Sequence, residues 1–161
     1  MTDLYATPFR QKSDKAHFLA IVPNKTEIAT VKTLIVEDEF TSRIVMQNLL
    51  SSYGECHVAV TGEEAVDAFR LAISRGKPYG LVCMDIELPG IDGVEAVRQM
   101  RAIEEENGIL STYGTKILMA TVVESPLGVV RSFHALCDAY FIKPIDSTAL
   151  LDSLRNLGLI A

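Results

Sequence analysis

From residue 32 onward, short apolar runs alternate with segments of helical spacing. The runs are "TLIV" (33–36), "CHVAV" (56–60), "GLVCM" (80–84), "KILMA" (116–120) and "AYFI" (139–142). Most are continuous rather than alternating, the pattern of parallel strands covered on both faces. Between them, Ala65, Ala68, Phe69 and Ala72 keep the i, i+3, i+4, i+7 spacing of one helix face, and Thr61 with Glu64 makes a capping box. Asp92 and Glu95 repeat that start signal before Val94, Val97 and Met100. Ser125 followed by Pro126 is an N-cap with proline at the first helical position. Asp146 caps a last helix whose Leu150, Leu151, Leu154 and Leu157 form an apolar stripe. Five strands and five helices in strict alternation, joined by right-handed crossovers, predict a doubly wound α/β sandwich with helices on both faces.

Residues 1–31 fall outside this rhythm and are expected to form an N-terminal arm, leaving 32–161 as the domain. The arm holds one apolar run, "HFLAIV" (17–22), followed by Pro23 and a polar linker. An extra strand, a short helix and a packing arm all fit it. The acids Glu104 to Glu106 are expected to be a solvated helix end, before the turn-rich "NGILSTYGT" (107–115).

Composition narrows the function classes. The 161 residues are 48% hydrophobic and 22% charged, with a net charge of −6. That balance suits one soluble domain and opposes a nucleic-acid footprint, which needs a basic stripe. No apolar run approaches the roughly 18 residues that span a bilayer. "MTDLYATPFRQK" lacks the basic start and apolar stretch of a signal peptide, so cytoplasmic residence is the expectation. Cys56, Cys83 and Cys137 form no CxxC pair, and His134 with Cys137 has no second pair to complete a zinc site. There is no P-loop and no G-x-G-x-x-G, so nucleotide binding has no motif behind it.

In an open parallel sheet, ligands bind outside the carboxyl ends of the strands. Strand one ends in Glu37, Asp38 and Glu39, strand three in Asp85, strand four in Thr121 and strand five in Lys143. Strand two ends in Thr61-Gly62, which only starts a helix. Placing it at the edge, in the order 2-1-3-4-5, brings the four functional ends side by side. Taken alone, Asp85 reads as a turn residue, Lys143-Pro144 as a surface loop, and Glu39 and Glu87 as exposed acids. Together they pose a charge problem, because Glu37, Asp38 and Asp85 cannot share one mouth fully ionised without compensation. Lys143 supplies one positive charge. A hard divalent cation such as Mg²⁺, held by carboxylates, waters and a phosphate, supplies the rest. An acid-rich metal site with one lysine and one hydroxyl suits a phosphoryl group, with Asp85 as nucleophile.

These motifs, "LIVEDE" (34–39), "CMDIELPGIDG" (83–93), "MATVVES" (119–125) and "DAYFIKPID" (138–146), resemble the receiver domain of two-component response regulators. The resemblance covers residues 32–157 and implies a flavodoxin-like fold. It implies that Asp85 accepts the phosphoryl group and that Asp38 ligates Mg²⁺, with Glu37 acting through water and the Glu87 backbone carbonyl completing the set. Lys143, joined to Pro144 by a cis bond, would contact the phosphoryl oxygens, and the Thr121 hydroxyl would turn towards them. Tyr140 would swing inward and change the surface made by the fourth helix, fifth strand and fifth helix. The implied partners are a histidine kinase or phosphotransfer protein and a downstream protein, with neither nucleic acid nor membrane; the arm suits a partner or a homodimer. The chain ends just after its fifth helix, so a stand-alone receiver without an output domain is expected. The alternatives are a degenerate receiver acting as a scaffold and an aspartate-nucleophile phosphatase using "DIE" (85–87). Val122 departs from the small residue usual in the family, and its bulk is expected to slow loss of the phosphoryl group.

Overall fold

The computed structural model describes residues 30–122 and 136–161. Most of the expected arm, with "HFLAIV", and the helix start at Ser125-Pro126 lie outside them. Five parallel strands form one sheet: β1 (Thr33–Val36), β2 (Cys56–Ala59), β3 (Leu81–Asp85), β4 (Lys116–Thr121) and β5 (Ala139–Ile142). Their order is β2-β1-β3-β4-β5, as expected. The described helices are α1 (Phe40–Leu50), α2 (Gly62–Ser74), α3 (Gly93–Glu106) and α4 (Ser147–Asn156), the last being the final helix of the chain. None is long and apolar enough to cross a membrane.

Both faces of the sheet are buried because successive side chains on a strand point to opposite sides. Leu34, Val36, Val82, Met84, Ile117 and Met119 share one core with α2 and α3. Ile35, Leu81, Cys83 and Leu118 face the other way, against Leu50 of α1 and Leu150 and Leu154 of α4. Each fully buried side chain of this size contributes roughly 1.5–3 kcal/mol. Hydropathy alone does not set the strand register, however, since a one-residue slip only exchanges one apolar face for the other. The polar ends fix it. Asp85 pairs with Ala120 as the last rung between β3 and β4, and Thr121 with Ile142 as the last rung between β4 and β5, so β3 and β4 each run one residue past their apolar runs.

Each of α1 to α4 follows a strand and begins with a side chain accepting from its first free amides. Thr61 accepts from the Glu64 amide at 3.1 Å, Asp92 from Glu95 at 2.8 Å and Asp146 from Ala149 at 2.8 Å. Each such cap is worth about 1 kcal/mol. The capping box at Thr61 is skewed: the Glu64 carboxylate reaches the amide of Val60, not that of Thr61, at 2.9 Å.

At the opposite end of the sheet, one sequence expectation is overturned. Glu104 is not solvated but buried, accepting from the Thr115 amide at 2.7 Å and from the Arg101 guanidinium at 2.7 Å. Arg101 also donates to the carbonyls of Thr115 at 2.9 Å and Leu136 at 3.1 Å, and pairs with Asp138 at 3.3 Å. Buried charge is tolerated here because every partner is in place. The network ties the 107–115 connection and the approach to β5 against the foot of the sheet.

Gly93 opens α3 against the end of β3. A Cβ there would lie 2.0 Å from the Asp85 carbonyl oxygen, so even a methyl group forces α3 away from the strand. Gly93→Ala is therefore expected to lower stability by about 1–3 kcal/mol. Urea denaturation reads this directly, and an unchanged midpoint would mean that the contact is not tight.

Candidate functional site

The mouth at the carboxyl ends of β1, β3 and β5 is assembled by backbone first. The Glu37 amide donates to Ala59 at 3.1 Å, extending the β1–β2 ladder one step and fixing where the Glu37 side chain leaves the sheet. Arg43, on the first turn of α1, donates to the carbonyls of Glu37 at 3.0 Å and Asp38 at 3.1 Å. These bonds hold the turn that carries the acids. Glu39 caps α1, accepting from Ser42 at 2.6 Å and Thr41 at 2.9 Å. Those amides, Ser42 first, hold its carboxyl down at about 2. Neither role was foreseen from sequence. Glutamate is an uncommon cap, and an arginine on an exposed helix face carries no signal of its carbonyl partners.

Lys143 enters from the far side of the sheet. Its backbone amide donates to Thr121 at 2.7 Å, and its peptide bond to Pro144 is cis. Its ammonium donates to Asp85 Oδ2 at 2.9 Å and to Glu37 Oε2. The remaining oxygens are engaged as well: Asp85 Oδ1 accepts from the Glu87 amide at 3.1 Å, and Glu37 Oε1 from the Glu39 amide at 3.1 Å. Glu37 and Asp85 are buried, whereas Asp38 is exposed.

Carboxylate oxygens of Glu37, Asp38 and Asp85 lie within 4.8 Å of one another. Two buried like charges at such a distance repel by on the order of 3–4 kcal/mol at an effective dielectric near 20. Burial, and then the neighbouring Asp85 charge, push the Glu37 pKa up despite the Lys143 and Glu39 bonds. Burial works to lower the Lys143 pKa, but its bonds to Glu37 and Asp85 outweigh that and hold it above the ordinary lysine value. The ammonium thus pairs with two of the three carboxylates, Glu37 and Asp85, and the mouth retains excess negative charge. The donors are all oxygen, with no imidazole or thiolate among them, which fits a hard divalent cation such as Mg²⁺ and not zinc.

The open cleft above these groups is rimmed by Glu39, Glu87, Leu88 and Val122. Val122 is 58% exposed there. Glu87 is exposed on the rim. Thr121 is the buried last residue of β4, beside the cleft and not among the residues lining it. Tyr140 is further from the chemistry: it pairs with Met119 inside the sheet and packs against the α2–α3 core. Five of the seven expected site residues, Glu37, Asp38, Asp85, Glu87 and Lys143, therefore meet at one cleft.

A family model described as the response regulator receiver domain matches residues 33–155. The osmosensing histidine protein kinase SLN1 of Saccharomyces cerevisiae is 30% identical over 145 residues, which cover 86% of this chain and 11% of the kinase. The chain spans less than a fifth of that kinase and of the matched relatives from Oryza sativa (12%) and Xanthomonas campestris (18%). Among solved structures, the receiver domain of Ssk1, in a co-crystal with the Saccharomyces cerevisiae histidine phosphotransfer protein Ypd1, is 27% identical with a TM-score of 0.67, covering 81% of this chain and 90% of that one. The receiver domain of the histidine kinase CKI1 from Arabidopsis thaliana, complexed with Mg²⁺ and BeF₃⁻, shares the fold at 24% identity and a TM-score of 0.66, covering 80% of this chain and 89% of that one.

The raised Glu37 pKa carries a pH prediction. A carboxyl whose folded pKa lies above its unfolded value contributes relative stability at low pH and loses it as pH rises through the folded pKa. Glu37→Gln is therefore expected to match the parent below the ordinary glutamate value of 4.5 and to become the more stable of the two at pH 8, both with chelator present. Paired urea titrations check this. A parent that is more stable than the variant at pH 8 would show that the Lys143 bond dominates instead.

Proposed function

This chain belongs to the family of response regulator receiver domains, and we propose that Asp85 is its phosphoacceptor, charged by a histidine kinase or a histidine phosphotransfer protein. The observation that carries this reading is the Asp85 carboxylate, set at the last rung of β3 with Lys143 on one oxygen and Glu37 and Asp38 beside it. An Asp85 oxygen attacks the phosphorus of a phosphohistidine in line. The P–N bond breaks, the imidazole nitrogen leaves with the electron pair, and an aspartyl phosphate remains. Lys143 stays within reach of the new phosphoryl oxygens, and the Thr121 hydroxyl, one strand over, supplies a further donor.

Mg²⁺, when bound, would place positive charge against the phosphoryl oxygens. Asp38, the exposed acid, and Asp85 would hold it directly, with the Glu87 carbonyl as a third ligand and Glu37 acting through water. The relatives support this reading, since one is a histidine kinase and one is a receiver co-crystallised with a phosphotransfer protein. Redistribution of charge at Lys143 and Thr121 is then passed to β5, where Tyr140 shifts and alters the surface offered to a downstream protein. The acidic net charge of −6 leaves protein, not nucleic acid, as that target.

Intact-protein mass after incubation with acetyl phosphate tests the reading. One phosphoryl adduct is expected on the parent with Mg²⁺, and none on Asp85→Asn or with chelator. An unmodified parent would leave a binding scaffold as the better description. Val122 on the rim is expected to slow hydrolysis of the adduct, so Val122→Ala should lose phosphate severalfold faster. Equal lifetimes would remove Val122 from the account.

A further inference from the structure

The loop between β3 and α3, residues 86–92, carries the Glu87 carbonyl away from Asp85. Its two ends meet at Ile86. The Ile86 amide donates to the Ala120 carbonyl at 2.9 Å, and the Ile86 carbonyl accepts from the Gly93 amide at 2.9 Å. Ile86, Leu88 and Ile91 pack against the α2–α3 core, while Glu87, Pro89 and Gly90 are exposed. Proline has no amide to donate, so Pro89 adds no backbone donor to the loop's outer turn.

The outer turn is instead held from another element. Glu63, in the first turn of α2, accepts from the Ile91 amide at 3.0 Å, across 28 positions of sequence. The approach is close on two sides. A Cβ on Gly90, whose φ is +78°, would lie 2.4 Å from Glu63 Oε1, and one on Gly62 would lie 2.6 Å from the Ile91 carbonyl oxygen. The next glutamate, Glu64, turns the other way and accepts from the Val60 amide at 2.9 Å, at its own helix start. An acid is favoured in that turn by the helix dipole whatever it touches. Only the bond to Ile91 makes Glu63 part of the loop.

A backbone carbonyl has no side-chain torsion with which to reach a metal, so it sits where its loop puts it. Mg²⁺ tolerates little departure from octahedral geometry at about 2.0–2.1 Å. We infer that Glu63 is a positioning residue for the metal site: by holding Ile91 it fixes the 86–92 loop, and with it the Glu87 carbonyl, beside Asp38 and Asp85. Glu63 does not line the mouth itself and acts only through the loop. The inference rests on the reading of Glu87 as a metal ligand, and not on phosphoryl transfer to Asp85.

Mg²⁺ titrations of the full chain, followed at the Glu87 carbonyl carbon by NMR, compare the parent with Glu63→Ala and Glu63→Gln. The parent resonance is expected to move saturably. Glu63→Ala should weaken Mg²⁺ binding roughly three- to tenfold, at or below the lower end of what loss of a ligand's orienting partner brings. Glu63→Gln keeps an acceptor at the same reach and should restore the parent affinity. Equal affinities in the parent and the alanine variant would overturn the inference. So would a glutamine variant as weak as the alanine one, since charge and not the bond would then be responsible. A parent whose Glu87 carbon ignores Mg²⁺ while the Asp38 and Asp85 carboxyl carbons respond would remove Glu87 from the ligands, and the inference with it. Acetyl phosphate labelling of the same samples is read separately. Glu63→Ala should label slowly at low Mg²⁺ and at the parent rate once Mg²⁺ saturates; a deficit that persists at saturation would contradict action through the metal site. An unlabelled parent contradicts only the phosphoacceptor reading, because the titration stands without it.

Discussion

The ammonium of Lys143, held between Glu37 and Asp85, is the contact on which the mouth depends. It joins residues 106 and 58 positions apart in sequence, and it spans the sheet from the end of β5 across β4 to β3 and β1. The strand order makes this possible, because β3 sits between β1 and β4. A partly buried lysine keeps its charge there only because two carboxylates face it. Those carboxylates in turn lie closer together than they could without it. The compensation is incomplete, since Lys143 pairs with Glu37 and Asp85 while Asp38 brings a third carboxylate within 4.8 Å. That residual charge, carried by oxygen donors alone, suits a hard divalent cation.

The two ends of the sheet resolve charge differently. At the foot, Arg101 is matched by Glu104 and Asp138, with Thr115 and Ile117 amides completing the carboxylates, and the network is structural. At the mouth, Glu37, Asp38 and Asp85 outnumber the one ammonium set among them. The foot network also seats the chain that leads into β5, the strand that carries Tyr140 and ends at Lys143. Rigid support below and unbalanced charge above is the arrangement expected of a site that responds to a bound group.

Much of this was legible in the residues. The runs at 33–36 and 139–142 became strands with the same bounds, and the edge position of β2 followed from its lack of functional residues at Thr61-Gly62. The acids at 37, 38 and 85 and Lys143 converge as the strand ends required. What escaped was local or long-range pairing. β3 and β4 run on to Asp85 and Thr121 because ladder pairing, not hydropathy, ends a strand. Glu104 looked like one of three solvated acids, and its guanidinium and amide partners could be found only once the 107–115 connection was seen to fold back on α3. Arg43 and Glu39 shape the turn at Glu37 and Asp38 through backbone bonds that no motif announces.

The most direct measurement is a Mg²⁺ titration of the parent and an Asp38→Asn variant, followed through amide chemical shifts by NMR. Saturable shifts confined to residues 37–39, 85–87 and 143 in the parent, and lost in the variant, are the predicted result. Parent shifts that are absent, or that the variant reproduces in full, would contradict the claim that unbalanced carboxylate charge at this mouth is what the cation completes.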